Sequence, residues 1–221
     1  MAVAQSAATT PSETRNLHVV NHPLVATNLS VLRAKTTTPE EFRRNLNELS
    51  VVLAMEASKH WPTEEINIET PLATCASARL AKPIVLVPIL RAGLGMSEGI
   101  LQIMPRASVG HLGIYRDEKT LRPVSYYSRI PENVSGAQVL LLDPMLATGF
   151  SACEAVSILK KHGARQIQFL CIISCEAGIK QLHHDHPELE IITAAIDPEL
   201  NDVGYIVPGL GDAGDRYFGT E

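Results

Sequence analysis

The 221-residue chain is poor in cysteine, and its cysteines lack the spacing of metal or redox motifs. The four are Cys75, Cys153, Cys171 and Cys175; each lies in apolar surroundings, and they form no Cys-x-x-Cys pair. A disulfide framework needs patterned cysteines and an oxidising compartment, so this composition favours reduced and mostly buried thiols. Stability must then come from a hydrophobic core, for which 45% hydrophobic residues are sufficient.

Long apolar segments and positive charge are also scarce. The apolar run at 84–90 is much shorter than the ~20 residues that span a bilayer. Residues 1–16 lack the basic and apolar regions of a signal peptide, and a formal net charge of −5 provides no basic surface for nucleic acid. We therefore expect a cytoplasmic protein that binds neither membrane nor nucleic acid, with a disordered tail at 1–16 and a single domain at 17–221.

The sequence does contain short apolar segments separated by helical patterns. The apolar segments lie at 84–89, 107–115, 139–142, 167–173 and 190–196, and the helical patterns at 94–104, 151–163 and 176–185. Buried strands that alternate with helices predict an α/β fold, in which a parallel sheet has helices on both faces. The segment VSYYSRI, within 116–138, alternates with a period of two and predicts a β-hairpin flap. Ligands of such sheets bind beyond the carboxyl ends of the strands.

A helix is predicted at 38–59, before the sheet begins. Thr38 is its N-cap, Pro39 lies in its first turn, and Glu41 is placed to complete a capping box. Six apolar residues recur behind this start at helical spacing: Phe42, Leu46, Leu49, Val52, Leu53 and Met55. They predict one face that packs against the core or against another subunit.

The stretch LLLDPMLATGFSA at 140–152 predicts a sugar-phosphate site. It runs from a buried strand into a loop that places Thr148, Gly149 and Ser151 at the start of a helix. Backbone N–H groups and hydroxyls at a helix N-terminus bind phosphate without lysine. Asp143, at the end of the strand, is placed to accept hydrogen bonds from two vicinal sugar hydroxyls. The loop matches neither the dinucleotide-binding glycine pattern nor the P-loop pattern.

This loop resembles the signature of the phosphoribosyltransferase family, and its form Asp-Pro-Met-Leu-Ala-Thr-Gly is similar to that of the uracil-specific branch. Three further stretches share the resemblance in the same order: VPILRAGLGM (87–96), GIYRDEKTLRPVSYY (113–127) and GYIVPGLGDAGDRYFGT (204–220). The resemblance extends from about His22 to the C-terminus. It implies a Rossmann-like parallel sheet of the phosphoribosyltransferase type, with a flap and a small hood formed by the N-terminal and C-terminal segments.

The resemblance also implies an activity, which is transfer of the 5-phosphoribosyl group from 5-phosphoribosyl-1-diphosphate (PRPP) to uracil, giving UMP and diphosphate. The implied PRPP contacts are Arg91, Arg116, Asp143, Pro144, Met145, Leu146, Ala147, Thr148, Gly149, Phe150, Ser151 and Asp212. The implied uracil contacts are Ile206, Gly211, Asp212 and Ala213, and the implied catalytic residues are Asp143, Asp212 and Arg116. Mg²⁺ is expected to bind mainly through PRPP, without a metal site on the protein.

The residue chemistry agrees with two of these roles. Arg91 lies among the small residues of PILRAGLG, which gives its guanidinium access to a diphosphate that arginine binds in bidentate fashion. The glycine-rich segment 204–213 brings backbone groups close to the edge of a small planar base and excludes the amino group of cytosine. Asp215, two residues after this segment, is interpreted as structural.

Phe150 departs from the family pattern, in which a second glycine is usual. Because phenylalanine does not adopt a positive φ freely, we expect its ring to turn outward while Gly149 and Ser151 keep the loop. This position bears on the affinity for PRPP more than on the identity of the donor.

Other readings of the sequence concern metal, partners and a second function. His183, His184 and His186 could suggest zinc, but they lie at a predicted helix end, where histidine favours the helix dipole. The resemblance implies a homodimer or homotetramer and leaves activation by GTP open. The alternative function is a pyrimidine-sensing, RNA-binding regulator on the same fold, which the acidic balance of the chain disfavours.

Overall fold

The structure, a computed structural model, describes residues 16–116 and 123–220. Its first part contains β1 (Leu17–Val19), α1 (Pro23–Arg33), α2 (Pro39–Ser58), β2 (Thr63–Glu69), β3 (Thr74–Leu80), β4 (Ile84–Leu90), α3 (Gly93–Ile103), β5 (Ser108–Val109) and β6 (His111–Arg116). Its second part contains β7 (Pro123–Arg129), a 3-10 helix (Glu132–Gly136), β8 (Gln138–Leu142), β9 (Met145–Leu146), α4 (Phe150–Lys161), β10 (Gln166–Cys175), α5 (Glu176–Asp185), β11 (Glu190–Asp197), β12 (Glu199–Leu200), β13 (Ile206–Val207) and α6 (Ala213–Phe218).

The central sheet confirms the predicted α/β architecture. Its strands lie in the order β1-β11-β10-β8-β4-β6-β7, with β5 beside β4 and β9 beside β10. All neighbours are parallel except β6 and β7, which pair antiparallel. The middle strand β8 is buried along its whole length, as expected for a strand covered on both faces.

Two hydrophobic cores lie on opposite faces of this sheet. Successive side chains of a strand point to opposite faces, so Leu86 of β4 packs with α1, α2 and α3, whereas Val85 and Val87 pack with α4 and α5. The carboxyl edge of the sheet is therefore held between two helical layers, and the loops that follow β4, β8 and β11 meet there.

Helix α2 begins as the sequence predicts. The Thr38 hydroxyl accepts a hydrogen bond from the Glu41 N–H at 3.3 Å, and the Glu41 carboxylate accepts one from the Thr38 N–H at 3.0 Å. The predicted apolar face is confirmed at Phe42, Leu46, Leu49 and Leu53, which are fully buried. Met55 is 60% exposed and does not pack in this core, because a step of 100° per residue turns this position away from the buried face.

The hairpin of β2 and β3 is absent from the sequence prediction. Its strands alternate apolar and polar residues at 65–69 and 76–80, but most of its side chains are exposed on both faces, so the hairpin buries no face in the core. Cys75 lies in β3 and is exposed, whereas Cys153, Cys171 and Cys175 are buried. The expectation of mostly buried thiols is thus confirmed for three cysteines and wrong for Cys75, because its strand leaves the core.

The predicted flap is confirmed as the antiparallel pair of β6 and β7, and its tip at 117–122 lies outside the described residues. The single strand predicted at 107–115 divides at Gly110, whose N–H donates to the Leu86 carbonyl at 2.8 Å. Within the described ranges, no helix combines the length and apolar character needed to cross a membrane.

Candidate active site

The loop after β8 is fastened to its neighbour β10. The Asp143 N–H donates to the Leu170 carbonyl at 3.2 Å, and the Pro144 carbonyl accepts from the N–H groups of Ile172 and Ile173 at 2.9 and 3.1 Å. Residues of β9 then continue the pairing with β10. Hydrogen bonds from the backbone of Asp143 and of Pro144 to β10 therefore hold the Asp143 carboxyl group at the carboxyl edge of the sheet.

The second half of the loop packs closely against the start of α5. Gly149 has a φ of 85°, and a Cβ there would lie 2.8 Å from the Gly178 carbonyl oxygen. A Cβ on Gly178 would in turn lie 2.5 Å from the Ala147 carbonyl oxygen, which also accepts from the Cys175 thiol at 2.9 Å. Because neither glycine has room for a side chain, the path of the loop is narrowly defined.

The loop leads directly into the N-terminus of α4, for which Gly149 is the N-cap. The first hydrogen bond within the helix runs from the Cys153 N–H to the Gly149 carbonyl at 2.9 Å, which leaves the preceding helical N–H groups directed at the loop. Among the hydrogen bonds of the described residues, the hydroxyls of Thr148 and Ser151 take no protein partner. Phe150 begins the helix with 44% of its surface exposed, so its ring does not fill the loop.

Asp143 and Asp212 approach each other across the site. Burial raises the pKa of Asp143 to about 7, the Asp212 charge adds to this rise, and a hydrogen bond from the Met145 N–H opposes it. Asp143 can therefore change its protonation state near neutral pH. A carboxyl group with this property beside an anion-binding loop marks a candidate active site.

Arg91 joins the loop after β4 to the C-terminal helix. Its guanidinium donates to the Asp215 carboxylate at 3.0 Å and lies 5.9 Å from the centre of the Phe218 ring. Hydrogen bonds from Thr220 and Arg91 lower the pKa of Asp215. Asp215, interpreted from sequence as structural, is thus the ion-pair partner of the arginine expected to bind diphosphate. The Arg91 side chain is still 57% exposed and accessible to a ligand.

The residues expected to bind uracil share one segment beside these groups. Ile206 and Ala213 are buried, whereas Gly211, with a φ of 73°, is exposed. Asp212 caps α6, where its carboxylate accepts from the Asp215 N–H at 2.9 Å. The structure therefore brings the 143–151 loop, Arg91 and the 206–213 segment to one edge of the sheet.

Arg116 and the histidines at 183–186 are the two remaining features that the sequence analysis singled out. Arg116 is the last residue of β6, and its side chain lies outside the described part of the chain. His186 is 7% exposed, and its ring contacts Lys160 at 2.9 Å and the Cys153 carbonyl at 3.1 Å. Across 16–116 and 123–220, no group of three or more His, Cys, Asp or Glu residues is arranged to hold a metal ion.

Comparison of the sequence with known protein families shows which family contains this chain. The chain matches the family model for uracil phosphoribosyltransferase over residues 19–220. It belongs to the uracil phosphoribosyltransferase family. Uracil phosphoribosyltransferase from Dictyoglomus thermophilum is 54% identical over 204 residues, which cover 92% of this chain and 99% of that relative. The enzyme of the same name from Streptococcus pyogenes serotype M5 is 49% identical, with coverages of 92% and 98%.

A solved structure shares the fold of this chain. A protein from Aquifex aeolicus superposes with a TM-score of 0.88 at 41% identity, covering 91% of this chain and 97% of its own. The phosphoribosyltransferase fold expected from the resemblance is therefore confirmed. Membership in the uracil phosphoribosyltransferase family also supports a transferase over the RNA-binding regulator.

Proposed function

We propose that this site transfers the 5-phosphoribosyl group of PRPP to N1 of uracil. The bond between C1 of the ribose and the diphosphate oxygen breaks, a bond from C1 to N1 forms, and N1 loses its proton, giving UMP and diphosphate. The observation that carries the proposal is the convergence of Asp143, the 148–151 helix start and the 206–213 segment at one edge of the sheet. The match to the uracil phosphoribosyltransferase family model over residues 19–220 supports the same reaction.

The donor is bound in three parts. Its 5-phosphate binds the N–H groups and hydroxyls between Thr148 and Ser151, which the geometry leaves accessible. Asp143 accepts hydrogen bonds from the ribose hydroxyls, and Arg91 binds the diphosphate. Mg²⁺ enters as part of the substrate, on the diphosphate, as the resemblance implies. The ion supplies charge neutralisation for the leaving group.

Catalysis in this proposal is mainly electrostatic. Positive charge develops on the ribose as the bond to diphosphate breaks, and a preorganised carboxylate below the ring stabilises it. Asp143 occupies that position, Asp212 lies near enough for its charge to act on Asp143, and Arg116 is proposed to offset charge on the leaving group. Uracil binds the backbone groups of Gly211 and Ala213 with Ile206 against its face.

A base panel tests this function. The purified chain is incubated with PRPP and Mg²⁺ together with uracil, cytosine, hypoxanthine or orotate, and release of diphosphate is measured. We expect turnover with uracil alone, since backbone groups in the 206–213 segment discriminate by shape and hydrogen bonding. Turnover of another base in preference to uracil would overturn the proposed specificity.

Arg91 gives a second test, directed at the donor. We expect Arg91→Gln to raise KM for PRPP by about 10- to 100-fold, because a hydrogen bond to a charged group contributes roughly 1.5–3 kcal/mol. KM for uracil should stay within about twofold of the wild type. Arg79→Gln is the matched control, since Arg79 forms an ion pair with Glu64 on the β2–β3 hairpin. An equal effect on both substrates would contradict this role.

The remaining expectations concern organisation. We propose a single domain at 17–221 and, as the resemblance implies, assembly into a homodimer or homotetramer. Sedimentation equilibrium distinguishes these states from a monomer. Activation by GTP and a cytoplasmic location stay predictions from the resemblance.

A further inference from the structure

The segment expected to bind the base, 206–213, borders a cavity on one side. A cavity of about 370 Å³ lies between the end of α1 and this segment, bordered by 208–211 on one wall and by Arg33, Lys35 and Arg216 on the other. We infer that Arg33 and Asp197, together with Arg216, position the base-binding segment and so set the affinity for the nucleobase. This inference rests on the proposed function and names positioning residues for it.

Asp197 and Arg33 hold both backbone groups of one residue. The Asp197 carboxylate accepts two hydrogen bonds from the Arg33 guanidinium, at 2.7 and 2.5 Å, and one from the Gly209 N–H at 2.9 Å. Arg33 also donates to the Gly209 carbonyl at 3.0 Å. Asp197 is 4% exposed, and a buried carboxylate of this kind is stable only while it is paired. The pair therefore fixes Gly209 relative to the end of β11.

Gly209 is suited to this contact because it cannot carry a side chain. Its φ is 65°, and a Cβ there would lie 2.0 Å from the Ile206 carbonyl oxygen. The chain consequently folds back on Ile206, which is one of the residues expected to contact uracil. Holding the backbone of Gly209 thus holds Ile206 through the same turn.

Arg216 makes the next connection along the segment. Its guanidinium donates to the Leu210 carbonyl at 2.6 Å and to the Ala34 carbonyl at 2.7 Å, and it also bonds the Leu32 carbonyl. It lies 4.6 Å from the centre of the Phe42 ring. Arg216 therefore ties residue 210 to the end of α1, directly before Gly211, Asp212 and Ala213.

The position of these contacts indicates a role in binding the base. The two clamped residues, Gly209 and Leu210, connect Ile206 to the 211–213 group and line the cavity. A displacement of about 1 Å in a positioned group can cost about 10²-fold in rate. The donor loop at 143–151 is held by β10 and α5 instead, so loss of the clamp should affect uracil and spare PRPP.

Two variants test this inference by a split between substrates. Asp197→Asn removes the charge while keeping the shape, and Arg33→Lys keeps the charge while removing the paired donors. We expect each to raise KM for uracil by about tenfold, which equals about 1.4 kcal/mol, and to leave KM for PRPP within about twofold. Arg33→Met removes both the charge and the donors and should raise KM for uracil further, so that Arg33→Lys gives partial rescue.

Asp185→Asn is the matched control, because Asp185 pairs with His184 at the end of α5, away from the segment. Thermal unfolding is measured in parallel, and Arg33→Lys keeps the experiment decisive if Asp197→Asn does not fold, since the Arg33 side chain is 24% exposed. Unchanged KM for uracil in a folded variant, or an equal rise for both substrates, would overturn the inference. Failure of the proposed function shows separately, as absence of uracil turnover by the wild-type chain.

Discussion

Asp143→Asn should lower kcat by about 10²- to 10³-fold while the protein stays folded. In the proposed mechanism the carboxylate stabilises the positive charge that develops on the ribose, and the amide cannot supply the opposing negative charge. The substitution keeps the size of the side chain and its contact with the Met145 N–H, which lies 3.3 Å away. Steady-state kinetics with saturating PRPP and uracil measure the effect.

The pH profile shows whether ionisation of Asp143 is responsible. Its pKa in the free protein is raised to about 7, so kcat/KM for PRPP should increase as pH rises through 7 and level off above it. Asp143→Asn should remove this step from its residual activity. Retention of most of the activity, or of the same step at pH 7, would contradict a catalytic role for this carboxyl group.

The raised pKa of Asp143 should also make the stability of the folded protein depend on pH, in the direction opposite to that of the activity. The pKa of Asp143 is about 7 in the folded protein and 3.8 as the ordinary value, so the folded state binds the proton more tightly. Its stabilising contribution is therefore complete below about pH 4 and is lost as pH rises through about 7. Activity and stability should change in opposite directions over this range, and chemical denaturation at several pH values tests this.

Gly149→Ala should lower kcat/KM for PRPP by about 10- to 100-fold, since a displacement of about 1 Å in a positioned group can cost about 10²-fold in rate. Gly149 has a φ of 85°, and the new methyl group would lie 2.8 Å from the Gly178 carbonyl oxygen. The loop relieves the overlap only by moving, and this displaces Thr148 and the N–H groups that bind phosphate. Titration of PRPP at fixed uracil measures the loss.

A matched control lies at the other end of the same helix. Gly163 has a φ of 89°, but a Cβ there meets only the Ser135 side chain, at 3.4 Å. Gly163→Ala carries the same backbone strain and should lower the melting temperature without changing KM for PRPP. If Gly149→Ala and Gly163→Ala behave alike, the close packing of the phosphate loop has no special role.

Phe150→Gly should alter kcat/KM for PRPP by only about twofold, as for other exposed positions.

Features set by neighbouring residues were predictable from the sequence. The capping box of Thr38 and Glu41 depends on four consecutive positions, and α5 was predicted with its observed bounds. The buried strands of the sheet were predictable because parallel strands covered on both faces read as unbroken apolar runs. The β2–β3 hairpin was missed because its alternating segments, 65–69 and 76–80, are short and contain mostly small or polar residues, and most of its side chains are exposed.

Contacts between distant residues could not be read from local patterns. The Arg33–Asp197 pair joins residues separated by 164 positions, and Arg91 meets Asp215 across 124 positions. Neither arginine lies in a pattern that names its partner, since ion pairing depends on how the helices pack around the sheet. The motifs located the candidate site, and the packing shows which charged groups hold its parts together.

Formation of the bond between ribose and base tests the central claim most directly. PRPP labelled with ¹³C at C1 and uracil labelled with ¹⁵N at N1 are incubated with the wild-type chain and Mg²⁺, and the products are followed by NMR. The proposed function predicts a one-bond coupling between ¹³C and ¹⁵N in UMP, with diphosphate released in equal amount. Unchanged PRPP and uracil, or diphosphate release without this coupling, would contradict it.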